Sequence, residues 1–293
     1  MSLFFNQLIN GLQMGSIYAL VALGYTMVYG IVKLLNFAHG DIIMVGAYVV
    51  YFAVRHLGAP FLPAVLLAMA ACAILGVAMD TIAYKPLRKA TRLSALITAI
   101  GVSLFLQNSF MVMVGSTPRP FPALSAPGHV QIFGNVTASN LTVITIVVSI
   151  LMMVGLQLIV MKTRIGKAMR AVSEDSGAAA LMGVNVNATI AITFALGSAL
   201  AAVGSALYAS TFPLADPFMG MMLGLKAFVA AVVGGIGIIP GAMLGGFLMG
   251  IAESLTNAYI SSQLSDAVVF SMLIIVLLFK PAGILGKSVG EKV

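Results

Sequence analysis

Residues 63–76 read PAVLLAMAACAILG, with no charge, amide or hydroxyl in the run. They belong to an apolar segment, 61–84, long enough to cross a hydrocarbon core of about 30 Å. Similar runs recur along the 293 residues, of which 61% are hydrophobic and 8% charged. A soluble chain of this length would have too little polar surface to cover such a core. The composition therefore specifies a polytopic membrane protein. The spans must be helices, because a lipid-exposed backbone has to satisfy its own hydrogen bonds and no barrel-type alternation is present.

Nine spans are expected, at 8–32, 40–55, 61–84, 93–114, 141–161, 189–208, 219–236, 241–259 and 266–280. The second and last are short, so eight full spans with one re-entrant or broken segment is a rival count. The opening MSLFFNQLING has no basic residue before its apolar run and no small-residue cleavage site, so no removable signal peptide is expected. No soluble domain is expected at either end, which leaves a single membrane domain, 1–293. Cys72, the lone cysteine, sits in the apolar run quoted above and reads as packing.

Basic residues set the expected orientation. Lys85, Arg88, Lys89 and Arg92 share one loop, and Lys162, Arg164, Lys167 and Arg170 another. Lys33 falls in a third, and Lys280, Lys287 and Lys292 in the tail. In the nine-span count all of these lie on one side, the cytoplasmic one by the positive-inside rule. Arg55 and Arg119 fall opposite, and Lys226 within a span. The N-terminus is then outside and the C-terminus inside. Topology accounts for the net charge of +7, and no aromatic residues interleave the basic groups to suggest nucleic acid. Tyr51, Tyr84, Tyr208 and Tyr259 fall near span ends, where interfacial aromatics collect. The external segment 115–140 carries four prolines and cannot be a simple helix. It reads equally as a docking surface or as a stiff connection.

Energy-coupling chemistry is missing. PAGILGKS, 281–288, departs from a phosphate loop at its first glycine and follows an apolar span rather than a strand. GGIGIIPG, 234–241, fails the dinucleotide fingerprint. His39, His56 and His129 are scattered, so no metal site is visible, and no nucleophile–base grouping stands out. An enzyme is not expected.

One polar insertion is informative. GKAMRAVSEDSGAAALMGVN, 166–185, lies between two spans on the basic side. Arg170 and Glu174 are spaced i, i+4 and can pair on a helix. Gly177 weakens that helix, Asp175 is placed to cap a second one over 176–182, and Gly183 is placed to stop it. Leu181 and Met182 form an apolar tip. Such a tip suits a groove on a peripheral protein, or a lipid surface.

This segment resembles the cytoplasmic coupling loop of permeases from ATP-driven ABC importers, in its branched-chain amino acid variant. The likeness extends through NGLQMGSIYALVALGYTMVYGIVKLLNFAHGDIIMVGAY (10–48), LITAIGVSLFLQN (96–108), KAFVAAVVGGIGIIPGAMLGGFLMGIAES (226–254) and PAGILGK (281–287). The chain departs from the family where Ser176–Gly177 follows Glu174–Asp175. The resemblance implies an all-α permease of about eight or nine spans in the bacterial inner membrane, with a coupling loop at about 162–188. It implies a homologous second permease, two cytoplasmic ATPases and a periplasmic binding protein. ATP would be bound by the partners, with no cofactor in this chain. Coupling would fall on Arg170, Glu174, Asp175, Gly177, Leu181, Met182 and Gly183. Leucine, isoleucine and valine are the expected cargo, and urea, short amides or other amino acids the alternatives.

Ionisable groups at membrane depth are functional candidates, since each costs about 2.5–3.5 kcal/mol on insertion scales. Lys226 and Glu253 lie about 10 and 9 Å from the outer ends of consecutive spans, at 1.5 Å per residue, and should pair. The pair reads as a helix lock or as part of an entrance or gate. NFAHGD, 36–41, interrupts an apolar run, and Asn36 or Asp41 can cap the next span. Irregular backbone at that depth also suits a cavity wall, so Asn36, His39 and Asp41 are candidates for the path. Gln107 and Asn108 read as interhelical bonding groups. Gly241-x-x-x-Gly245 and Gly246-x-x-x-Gly250 offer close-packing faces, within the chain or toward a second permease. A self-sufficient secondary transporter would need an ion site at broken helices, and the midplane holds few acidic residues for one.

Overall fold

The computed structural model describes residues 2–286 apart from 89, 123, 125–127 and 134–135. Of the residues read above, Lys89, Lys287, Ser288 and Lys292 lie outside the described ones. Eleven α-helices are described: α1 (Ser2–Val32), α2 (His39–Leu57), α3 (Phe61–Met79), α4 (Arg92–Val114), α5 (Asn140–Lys162), α6 (Arg164–Glu174), α7 (Ser176–Leu181), α8 (Val186–Thr211), α9 (Met219–Gly234), α10 (Ile239–Tyr259) and α11 (Ser265–Phe279). Four short strands are described: β1 (Arg119–Pro120), β2 (His129–Phe133), β3 (Val136–Ser139) and β4 (Leu214–Ala215).

Each expected span falls on one of the nine long helices. Eight of them have the length and apolarity to cross a membrane, and α9, at 16 residues, is the short one. The second span was expected to be short, and this is corrected; the last, also expected to be short, is so as an α-helix, at 15 residues. α2 runs for 19 residues, and a 3-10 turn extends α11 to 18. α9 is short because Pro213 and Pro217 bracket β4, which pairs with β1 and keeps the chain extended beyond α8.

Bonds between connections tie each end of the bundle. At one end Arg88 bonds Asn187, and Gly30 packs on Gly237. At the other, β1 pairs with β4, while Gln13 of α1 bridges Thr211 of α8 and Thr142 of α5. The described basic residues of the connecting loops, Arg119 of β1 excepted, collect at the first end, hereafter the basic end. β2 and β3 form a hairpin at the second.

Burial divides the helices into two classes. The apolar stretch of α1 is 78% buried and that of α11 only 11%. α1, α2 and α8 form the centre with α9 and α10, while α3, α4, α5 and α11 turn broad apolar faces outward. Small residues draw the central helices together. A Cβ at Gly245 would lie 2.0 Å from the Ala230 carbonyl of α9, and one at Gly250 would lie 2.2 Å from the Gly15 nitrogen of α1. The two glycine pairs of α10 therefore serve packing inside the chain, one face toward each neighbour.

The 281–286 segment has a structural task unrelated to nucleotides. Ile284 N–H donates to the Val233 carbonyl at 2.9 Å, and Leu285 N–H to the Gly234 carbonyl at 3.0 Å. These carbonyls belong to the last turn of α9, where no intrahelical donor remains.

Candidate functional site

The loop between α5 and α8 is built from local caps. The Thr163 hydroxyl accepts from Gly166 N–H at 3.1 Å and starts α6, which buries Met169 and Val172 against the bundle. Asp175 Oδ1 accepts from the N–H groups of Gly177 at 2.8 Å and Ala178 at 2.9 Å, so it caps α7 as expected. Gly183 has φ +83°, donates to the Ala180 carbonyl, and is followed by Val184 donating to Ala179. That paired closure satisfies two orphan carbonyls, and it needs a left-handed residue that glycine adopts without strain. Ala179 is buried and anchors α7. Leu181 and Met182 are 90% and 85% exposed. The expected apolar tip is present.

The expected Arg170–Glu174 pair does not form. Arg170 Nη1 donates instead to the carbonyls of Val160 at 2.8 Å and Met161 at 3.1 Å. Those carbonyls end α5 and carry the negative end of its dipole, so they compete with an exposed carboxylate for the guanidinium. Glu174 is exposed. Arg170 thus fixes α6 to the end of α5.

A second clamp was not foreseen. α3 ends in a π-turn, 80–84, and then a 3-10 turn. Together they bring Arg88 back onto Asp80, whose side chain is 2% exposed, with bonds of 2.7 and 2.8 Å. The other guanidinium nitrogen reaches Asn187 in the first turn of α8. The loop is therefore tied to α5 through Arg170 and to α3 through Arg88. The eight-residue spacing of Asp80 and Arg88 matches no regular helix, so sequence periodicity carried no signal for it.

The 36–41 stretch is buried. Neither Asn36 nor Asp41 caps α2, whose N-cap is Ala38 without a side-chain bond. Asn36 Oδ1 accepts instead from Tyr84 Oη at 2.6 Å, which draws Tyr84 inward from its expected interfacial place. His39 packs edge-on against Tyr25, at 4.8 Å between ring centroids, over Gly24. Asp41 Oδ1 accepts from Gln107 Nε2 of α4 at 2.7 Å. Gln107 therefore bonds between helices as expected. Asn108 does not, and donates to the Leu104 carbonyl of its own helix.

The Lys226–Glu253 pair forms, at 2.7 Å between Nζ and Oε1, with both side chains 12% exposed. It is larger than sequence reasoning supposed. Lys226 also reaches Asp266 of α11 at 2.7 Å, and Tyr18 Oη of α1 donates to Glu253 Oε2 at 2.6 Å. Four helices meet on this cluster. Glu253 also borders a cavity of about 320 Å³ with Gln7, Asn10, Gln13 and Asn257. Among the described residues no group of His, Cys, Asp or Glu is arranged to hold a metal ion.

A bundle of nine apolar helices with buried charges and an exposed helical tip on one end has the build of a transport permease. The family model described as branched-chain amino acid transport system / permease component matches residues 7–277. The chain belongs to that family, and is one multi-pass component of a transport system. It is 45% identical to the high-affinity branched-chain amino acid transport system permease protein BraD of Pseudomonas aeruginosa, over 99% of this chain and 98% of that protein. It is 42% identical to the LivH proteins of Escherichia coli and Salmonella typhimurium, which carry the same description, again over 99% of this chain and 98% of each.

Proposed function

We propose that this chain translocates leucine, isoleucine and valine across the bacterial inner membrane as one permease subunit of an ATP-driven importer. Its partners are a homologous permease, two ATPases at the basic end and a periplasmic binding protein at the hairpin end. ATP is bound by the ATPases, and this chain carries no cofactor. The N-terminus is outside and the C-terminus inside. Relatedness over nearly the whole chain supports the cargo, and the basic loops support the orientation. A reporter fused after Val293 should read cytoplasmic and one placed within 120–130 external; the opposite pattern would overturn the orientation.

The observation that carries the coupling role is α7 itself. It is capped at both ends, held by Ala179, and tipped by two exposed apolar side chains. An ATPase groove that receives Leu181 and Met182 would pull on α5 through Arg170 and on α3 through Arg88. Replacing both tip residues with Asp places charge in that groove, where it is costly. The ATPases should no longer co-purify and uptake should cease, while association with the sister permease persists. Full ATPase association and full uptake in this variant would make α7 a lipid-surface helix.

A further inference from the structure

Among the described residues the ion pairs are Arg88–Asp80, Lys226–Glu253 and Lys226–Asp266. Asp41 takes part in none of them, although it is only 2% exposed. Its side-chain partners, the Gln107 amide and the Ser103 hydroxyl, are neutral. A carboxylate at this depth, left with neutral donors, is poised for a cation that the chain does not supply. Beside it lies a cavity of about 490 Å³, bordered by α1, α2, α4 and α9. The size falls in the range of small-molecule sites, roughly 300–1,000 Å³. Leu96, Ile100, Leu104, Met221 and Leu225 make its wall apolar. Gly40 and Gly220 also border it, so the first turns of α2 and α9, the positive ends of two helices, meet the cavity.

We propose that this cavity is a resting site for a branched-chain amino acid in transit, with the α-ammonium group on Asp41, the carboxylate toward the first turns of α2 and α9, and the side chain on the apolar wall. The proposal rests on the function proposed above and adds to it a cargo site within this subunit. A zwitterion with an aliphatic side chain matches all three features: buried anion, helix N-termini and apolar wall. A lipid chain would match only the wall.

The test is leucine and valine uptake by the complete transporter reconstituted in vesicles. Asp41→Asn keeps the shape and the bond with Gln107 but removes the charge. Leucine uptake should fall about thirtyfold or more, as for loss of a buried charge pair, with the ATPases still bound. Ile100→Phe narrows the wall at a residue that is 46% exposed in the chain, so folding should survive. Leucine is one methylene longer than valine, so the leucine-to-valine ratio should fall about tenfold. If Asp41→Asn fails to assemble, that ratio alone decides. Wild-type uptake by Asp41→Asn, or an unchanged ratio in Ile100→Phe, would overturn the site while leaving the permease function intact. A wild-type transporter that moves neither amino acid would overturn the functional reading itself.

Discussion

Glu253 and Asp41 are both carboxylates buried in a membrane-spanning bundle, and the chain treats them differently. Glu253 is held by the Lys226 ammonium and by Tyr18, with Asp266 sharing the lysine. Asp41 is held by an amide and a hydroxyl and faces a cavity. The first arrangement closes on itself and locks α1, α9, α10 and α11 together. The second leaves negative charge beside space. Desolvation is costly for both, so the difference lies in what repays it. In one case the repayment is a cation within the fold, and in the other the proposed site would draw that cation from the cargo's ammonium group.

Three substitutions sharpen that contrast. Lys226→Ala strands Glu253 without its cation, and breaking a buried pair from one side costs about 3–5 kcal/mol. Folded protein in detergent should fall sharply, and adding Glu253→Ala should recover part of the loss, because Asp266 is half exposed and solvent carries its charge. Additive losses in this double-mutant cycle would mean that the two residues do not interact. Arg88→Lys tests a third compensated carboxylate. A lysine gives one bond where arginine grips both Asp80 oxygens and Asn187, so thermal stability should drop by about 1–2 kcal/mol. An unchanged melting temperature would remove the clamp from the account. The smallest effect is expected at Asp41→Asn, whose stability should stay within about 1 kcal/mol of the parent, since the shape and the Gln107 contact persist. A loss as large as that of Lys226→Ala would place Asp41 among the locks and end the contrast.

Much of the coupling loop was legible because its geometry is local. Asp175 caps α7 two and three residues ahead, and Gly183 stops it one residue past its C-cap. Such short-range bonds follow from residue type and spacing. The Lys226–Glu253 pair was legible for a related reason, because consecutive helices joined by a tight glycine turn must place similar depths side by side. Where a side chain had a choice of partners, sequence spacing misled. Arg170 had Glu174 at the helical interval, yet took the carbonyls that end α5. Asn36 and Asp41 had a helix start to cap, yet bonded Tyr84 and Gln107 from other helices.

The sequence by itself determined the solvent, the helical spans and the caps of the coupling loop. Hydrophobic run length, charge bias and capping chemistry act over a few residues or over the whole membrane thickness, and neither scale needs a tertiary contact. Tertiary structure alone decided which buried charges are compensated. Tyr18 meets Glu253 across 235 residues of chain, and Gln107 meets Asp41 across 66. No local pattern encodes such meetings. They arise because glycine faces bring α10 against both α1 and α9, and because α1, α2, α4 and α9 leave space between them that no described side chain fills.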